Sequence, residues 1–184
     1  MPVTISGPPT VQMPGALMSA CGRYRYRLTR PPLHESRDAA APLNPPALFI
    51  MLNPSTADAV IDDPTIRRCR AFAHAWQCDG VIVANLYALR STRPAGLWLH
   101  EDPVGPDNDG HLYALARSSA MAICAWGDNA RAPRVIAVLR LLRDARITLA
   151  CLGTTRSGAP RHPLYVRGET RLVEWKPAYS FSSK

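Results

Sequence analysis

The sequence is short of lysine. Lys176 and Lys184 are the only two, so arginine supplies nearly all of its 22 basic residues, and the net charge is +8 at a pI near 9.7. Arginine's planar fork suits phosphate and carboxylate, which leaves an anionic partner open, but the same charge also fits a plain solvated surface. Cysteine is sparse too. Cys21, Cys69, Cys78, Cys124 and Cys151 are odd in number, show no CxxC spacing and mostly lie within apolar runs. That argues against a disulfide-built fold and suits reduced, buried thiols. Cys69, His74 and Cys78 fit on one helix, yet no fourth ligand accompanies them, so no metal site is expected. No apolar run approaches the roughly 20 residues of a membrane span, and the first residues lack the basic start and apolar core of a signal peptide. The expectation is a soluble, cytoplasmic protein with no membrane association.

What is present suits one folded unit. A chain of 184 residues can bury a substantial core. Residues 1–20 are rich in proline, glycine and small side chains without periodicity and are expected to be a flexible leader, with a single α/β domain over residues 21–184. Arg23 to Arg30, RYRYRLTR, alternates strictly. This predicts a half-exposed strand at a sheet edge, with Tyr24, Tyr26 and Leu28 on one face and arginines on the other. Pro31 to Pro46 holds five prolines and reads as a surface loop.

The pattern then changes. Ala47 to Leu52, Val81 to Ala84, Met121 to Ala125 and Thr148 to Leu152 are apolar on both faces and predict buried strands. Pro64 to Gln77, Asp107 to Ser118 and Pro133 to Asp144 predict helices between them, the first capped by Asp63 with Pro64 at its first position. Such alternation predicts an α/β three-layer sandwich: a mostly parallel four-stranded central sheet flanked by helices, with the N-terminal strand at its edge. Ligands of such sheets bind beyond the carboxyl ends of the strands, so chemistry is sought there.

The strand ends carry amides, hydroxyls, a histidine and arginines. Asn53-Pro54-Ser55 follows the first strand, Asn85 to Arg90 the second, Trp126-Gly127 the third, and Gly153-Thr154-Thr155 the fourth, leading to Arg161-His162-Pro163-Leu164. No Walker loop, GxGxxG or Ser-His-Asp order accompanies them, which argues against nucleotide triphosphate, dinucleotide and acyl-transfer chemistry. Asn53 is also what an ordinary turn before proline needs. Asn85 stands where the strand is still buried, so its amide requires a partner, and an amide can read the edge of a base. Trp126 suits core packing as well as a ligand wall. His162 sits between arginine and proline in a loop, where packing is a less natural role. Asp63 reads as a helix cap and Asp62 as its solvated neighbour, leaving Asp58 as the acid nearest the strand end for orienting a water. His34, His100 and His111 read as surface residues.

Taken in order, these ends resemble the uracil-DNA glycosylase superfamily over Leu48 to Val166. Met51-Leu52-Asn53-Pro54 is similar to its first strand turn, GVIVANLYALR to its central strand with asparagine and a following arginine, Ala125-Trp126-Gly127 to its Trp-Gly strand, and His162-Pro163-Leu164 to its His-Pro loop. After Cys21 the chain is also similar to a family of small bacterial proteins of unknown function, recognisable by NPSTAD, DPTIRRC, NLYALRST, DPVGPDND, AWG and RHPLY.

The superfamily resemblance implies a glycosylase-like hydrolase, without cofactor or metal, acting on the N-glycosidic bond of a nucleobase in nucleic acid or a nucleotide. It implies that His162 donates to the base oxygen, that Asn85 reads the base edge, and that Asn53, with Asp58, holds the attacking water. Pro54, Ser55 and Trp126 would line the base site. Arg90, Arg93, Arg156 and Arg161 would bind phosphates, and Leu164 would fill the gap left by a flipped nucleotide. Three positions depart from the superfamily. Leu52 replaces a glycine, Asn53 stands in place of the aspartate some relatives carry, and Leu164 follows His-Pro where serine is usual. The base, and the choice among DNA, RNA and free nucleotide, stay open, as does a non-catalytic nucleic-acid or nucleotide-binding module on the same fold.

Overall fold

In a computed structural model, residues 14–33, 44–55, 57 and 59–177 are described. They contain the strands β1 (Gly15–Met18), β2 (Arg25–Arg30), β3 (Ala47–Met51), β4 (Val81–Asn85), β5 (Met121–Cys124), β6 (Thr148–Cys151) and β7 (Val173–Glu174). The helices are α1 (Pro64–Ala75), α2 (Pro94–Leu97), α3 (Asn108–Ser118) and α4 (Ala132–Asp144), with a 3-10 turn over Pro163–Tyr165. All strands form one mixed seven-stranded sheet, ordered β1-β2-β4-β3-β5-β6-β7, rather than the four-stranded sheet expected. The four apolar runs are its parallel centre, β4-β3-β5-β6. Antiparallel strands extend it at both ends.

Helices cover both faces because each central strand is apolar on both. Ile66, Cys69, Phe72 and Ala73 form the buried stripe of α1 and pack on Phe49, Met51, Val81 and Val83. Leu112, Leu115 and Ala116 of α3 and Val135, Val138, Leu139 and Leu142 of α4 pack on the opposite face, against Leu48, Ile50, Ile82 and Ala84. Alternate residues of one strand thus belong to different cores, the period-two consequence of a buried strand. None of the described helices is long and apolar enough to cross a membrane.

The N-terminal part departs most from expectation. The RYRYRLTR strand is interior, between β1 and β4, and the edge is Gly15–Met18, a segment expected to belong to the leader. Its alternation also breaks. Leu17 pairs with Arg27 but Met18 with Arg25, so Tyr26 is an extra residue, and the bulge resets which side chains face which core. Tyr24 and Tyr26 lie in the α3–α4 core, whereas Leu28 lies in the α1 core. His100 and His111, expected on the surface, pack on these tyrosines: His111 stacks on Tyr26 at 4.6 Å, and His100 meets Tyr24 edge-on at 6.1 Å. His34 lies outside the described residues.

Two arginines of β2 are buried, each only 2% exposed. Arg30 places Nε 2.5 Å from Asp62 Oδ1 and also donates to the carbonyls of Thr29, Ala59 and Ile61. Arg70 reaches the other Asp62 oxygen at 2.9 Å. Asp62, expected as a solvated neighbour of the helix cap, therefore joins β2, the loop after β3 and α1. Asp63 does cap α1, accepting from Ile66 N at 2.9 Å. The two adjacent acids should differ sharply on removal. Asp62→Ala strands a buried guanidinium and should lower unfolding free energy by about 3 to 5 kcal/mol, whereas Asp63→Ala loses a cap, at about 1 kcal/mol. Urea denaturation of the two variants decides it, and equal losses would contradict the placement of Asp62.

Candidate functional site

The direction of the crossovers reverses at β3. The chain leaves β3 for β4 on one side, then places β5 and β6 on the other. Helices diverging from such a reversal leave a crevice at the carboxyl ends of the strands. A cavity of about 710 Å³ occupies that position. Met51, Leu52 and Asn53 line it from the end of β3, Val83 and Asn85 from β4, and Trp126 and Gly127 from the end of β5. The first turn of α1 closes one wall, and the loop around His162, held against α1 by Arg68, continues it.

Backbone groups that outrun the sheet determine how these ends are held. Leu86 N and Tyr87 N continue onto the carbonyls of Met51 and Leu52 at 2.8 and 3.0 Å. The carbonyl of Asn85 accepts from Asn108 Nδ2, and that of Leu86 from both Asn108 Nδ2 and Arg134 Nε. Arg134 is itself anchored to Asp109 at 2.6 Å. This gives the DPVGPDND segment its role: Asn108, fully buried, fixes the backbone of Asn85 from behind. The His162 loop is held likewise. Gly127 N donates to Pro160 O, Arg161 N to Gly153 O, and Arg68 of α1 to the carbonyls of Pro163 and Val166. Gly127, at φ +70°, adopts a turn that a side chain would strain, and that turn brings it against the His162 side chain.

Within this frame the two asparagines differ. Asn53 spends both amide hydrogens, on the carbonyls of Pro54 and Ser91 at 2.8 Å each, so it staples the β3 turn to the loop after β4. Among the described residues its Oδ1 is the atom left for a ligand or water. Asn85 is 1% exposed, and its Nδ2 is enclosed with no hydrogen-bond partner among the described residues. A buried donor with no acceptor is costly, so this amide is open to an acceptor from water or a ligand.

His162 Nδ1 accepts the Leu164 N–H at 3.3 Å. That bond needs an unprotonated Nδ1, so the neutral ring carries its proton on Nε2 as a donor. Burial lowers its pKa from the ordinary histidine value, with the Asp63 carboxylate opposing the shift. The imidazole is thus favoured neutral. Trp126 is buried in the α3–α4 core, edge-on to Trp175 at 5.4 Å, and also forms part of the cavity wall. Ser55, Arg156, Arg161 and Leu164 complete the candidates that the cavity gathers. Arg156, Arg161 and Leu164 are exposed, placing them at its mouth. Asp128, also in the wall, accepts from Thr155 and Ser157, and those bonds hold its carboxyl below the usual range.

Other expected residues stand elsewhere. Pro54 is buried and contributes its carbonyl to the Asn53 staple, while Arg90 and Arg93 are exposed on the loop beyond β4 and do not line the cavity. Asp58 lies outside the described residues. Besides Asp128, two charged residues of the wall had not been singled out for chemistry. Asp63 faces it as well as capping α1, and Arg25 reaches it from β2. Their only sequence signals were a cap position and an alternating strand. Among the described residues no three or more His, Cys, Asp or Glu cluster to hold a metal.

No curated protein and no solved structure matches the chain. The family model described as a protein of unknown function (DUF1643) matches residues 25–164, which span β2 to the His162 loop. The chain belongs to the DUF1643 family.

Proposed function

We propose that the protein is a glycosylase-like hydrolase that cleaves the N-glycosidic bond of a nucleobase in nucleic acid or a nucleotide. The observation that carries this reading is convergence: Asn53, Asn85, Trp126 and His162, drawn from four separate strand ends or the loop beyond them, line one cavity. Their order along the chain resembles that of the uracil-DNA glycosylase superfamily, and the arrangement of strand ends is what supports placing the fold beside it.

Breaking the bond sends its electron pair to the base, leaving the base anionic and the sugar cationic. An enzyme of this kind needs donors at the base, negative charge near the sugar and a held water. His162 supplies a neutral Nε2–H for the base oxygen. The unpartnered Asn85 Nδ2 supplies a second donor. Asn53 Oδ1 holds the water that adds to the sugar carbon, and the Asp63 carboxylate stabilises the cationic sugar and takes the proton that water loses. Leu164, 43% exposed at the mouth, and the exposed Arg156 and Arg161 suit a wedge and phosphate contacts. The commitment of both Asn53 amide hydrogens to the backbone favours one alternative, a module that binds nucleic acid or a nucleotide without turnover.

Free-base release from a panel of base-modified oligonucleotides and nucleotides separates the two. The hydrolase releases base from at least one substrate, and His162→Ala slows this by about 100-fold or more. Binding that survives Asn53→Ala with no release from any substrate selects the module.

The imidazole also imposes a pH dependence on stability. Because the folded pKa of His162 lies below the unfolded value, the unfolded chain binds more protons in that interval, so stability falls as pH drops from about 6.5 through the folded pKa. Melting temperature followed against pH should show this fall in the wild type and a smaller one in His162→Gln. Parallel profiles would remove the buried neutral imidazole from the account.

A further inference from the structure

Among the described residues three arginines are buried, and two of them have an acid there. Arg30 pairs with Asp62 and Arg134 with Asp109. Arg25 does not. Among the described residues only Nη1 of its three nitrogens has a hydrogen-bond partner, the neutral carbonyl of Ala57, and Nε is buried without any. Arg25 lines the cavity, as does Asn85, whose Nδ2 is equally enclosed and unpartnered. The surrounding charge gives limited relief. Asp63 is the nearby acid, with one oxygen already on Ile66 N, while Arg90 and Arg30 add like charge. Burial pulls the Arg25 pKa down to about 10, which leaves it cationic at neutral pH.

A buried cation with donors still unspent, in the same cavity wall as a second unspent donor, is what an anion-binding floor requires. We infer that the cavity takes its ligand by an oxyanion, a phosphate monoester or a carboxylate, held by Arg25 with Asn85 beside it. Arginine's fork can engage two oxygens of such a group while the amide engages a third or a neighbouring carbonyl. The cavity volume falls within the range of small-molecule sites, so there is room for the anion and the body that carries it. This inference deepens the proposed function by naming the chemistry of the substrate's charged end. It rests on the same cavity being the ligand site and not on bond cleavage.

Calorimetric titration of the full chain tests it with inorganic phosphate and two matched pairs: uridine 5′-monophosphate against uridine, and a uracil bearing a ring carboxylate against uracil. At least one charged probe should bind about tenfold or more tightly than its uncharged counterpart, and the pair that shows it identifies phosphate or carboxylate as the source. Arg25→Met should bring the charged probe to the affinity of the uncharged one, whereas Arg140→Met, exposed on α4 and outside the cavity lining, should leave the preference in place. Without ligand, Arg25→Met should melt no lower than wild type, because it deletes a buried charge that has no acid. Should it fail to fold, Arg25→Gln, which keeps a donor for the Ala57 carbonyl, gives the same comparison. The inference is overturned if the wild type binds phosphate and both charged probes no better than the neutral ones, or if the preference survives loss of the Arg25 charge. Charged-probe preference without any base release would remove the hydrolase reading alone, and base release without that preference would remove this inference alone.

Discussion

Backbone groups at the end of a parallel sheet cannot be satisfied by the sheet, and this structure is organised by how they are satisfied instead. Beyond Asn85 the chain runs on against the β3 turn, while the carbonyls of Asn85 and Leu86 turn to Asn108 and Arg134. Beyond Trp126, Gly127 N finds Pro160 O, and this draws the His162 loop over the strand ends. The cavity is the space these closures leave. Its polar groups are held from behind by α3, α4 and α1, so the site's geometry is inherited from the packing of the helices rather than from the loops alone.

The part of the fold that was legible in the sequence is the part dictated by local pattern. Runs such as LFIM and VIVA can only be strands buried on both faces, and Asp63 with Pro64 marks a helix start that lies where expected. The misread elements depend on partners distant in sequence. Alternating arginines in a strand ordinarily mean solvent, and nothing in RYRYRLTR shows that Arg30 meets Asp62, a residue 32 positions later. The bulge at Tyr26 that separates Tyr26 and Leu28 onto different faces is equally silent locally. Strands of four and two residues, GALM and VE, are too short for periodicity to register, and they exist because the sheet offers them an edge.

The same distance effect divides the site. Asn85 was readable because a polar residue inside an apolar run must be explained, and His162 because a loop histidine between arginine and proline has little to pack against. Arg25 was not readable, since its burial follows from the bulge and from its strand lying inside the sheet. The basic composition likewise proves to be a poor guide taken whole. Arg30, Arg68 and Arg134 bind carbonyls and acids of the chain itself and help hold the fold together, so the net charge overstates what is left for a partner. Only individual arginines, weighed by burial and pairing, carry information about a ligand.

That weighing gives the cavity a polarity. Asn53 and Asn85 stand at the ends of neighbouring strands and are chemically identical, yet one has spent its donors on backbone carbonyls and presents an acceptor, while the other keeps an enclosed donor. The unspent donors of Asn85 and Arg25 are buried, whereas Leu164 and Tyr165 of the same lining are exposed. Because an enclosed donor gains most from an acceptor that arrives already charged, the inferred ligand would turn its electron-rich end to these two donors. A cavity built this way orders a ligand end to end before any chemistry occurs, which is the condition on which both turnover and selective binding depend.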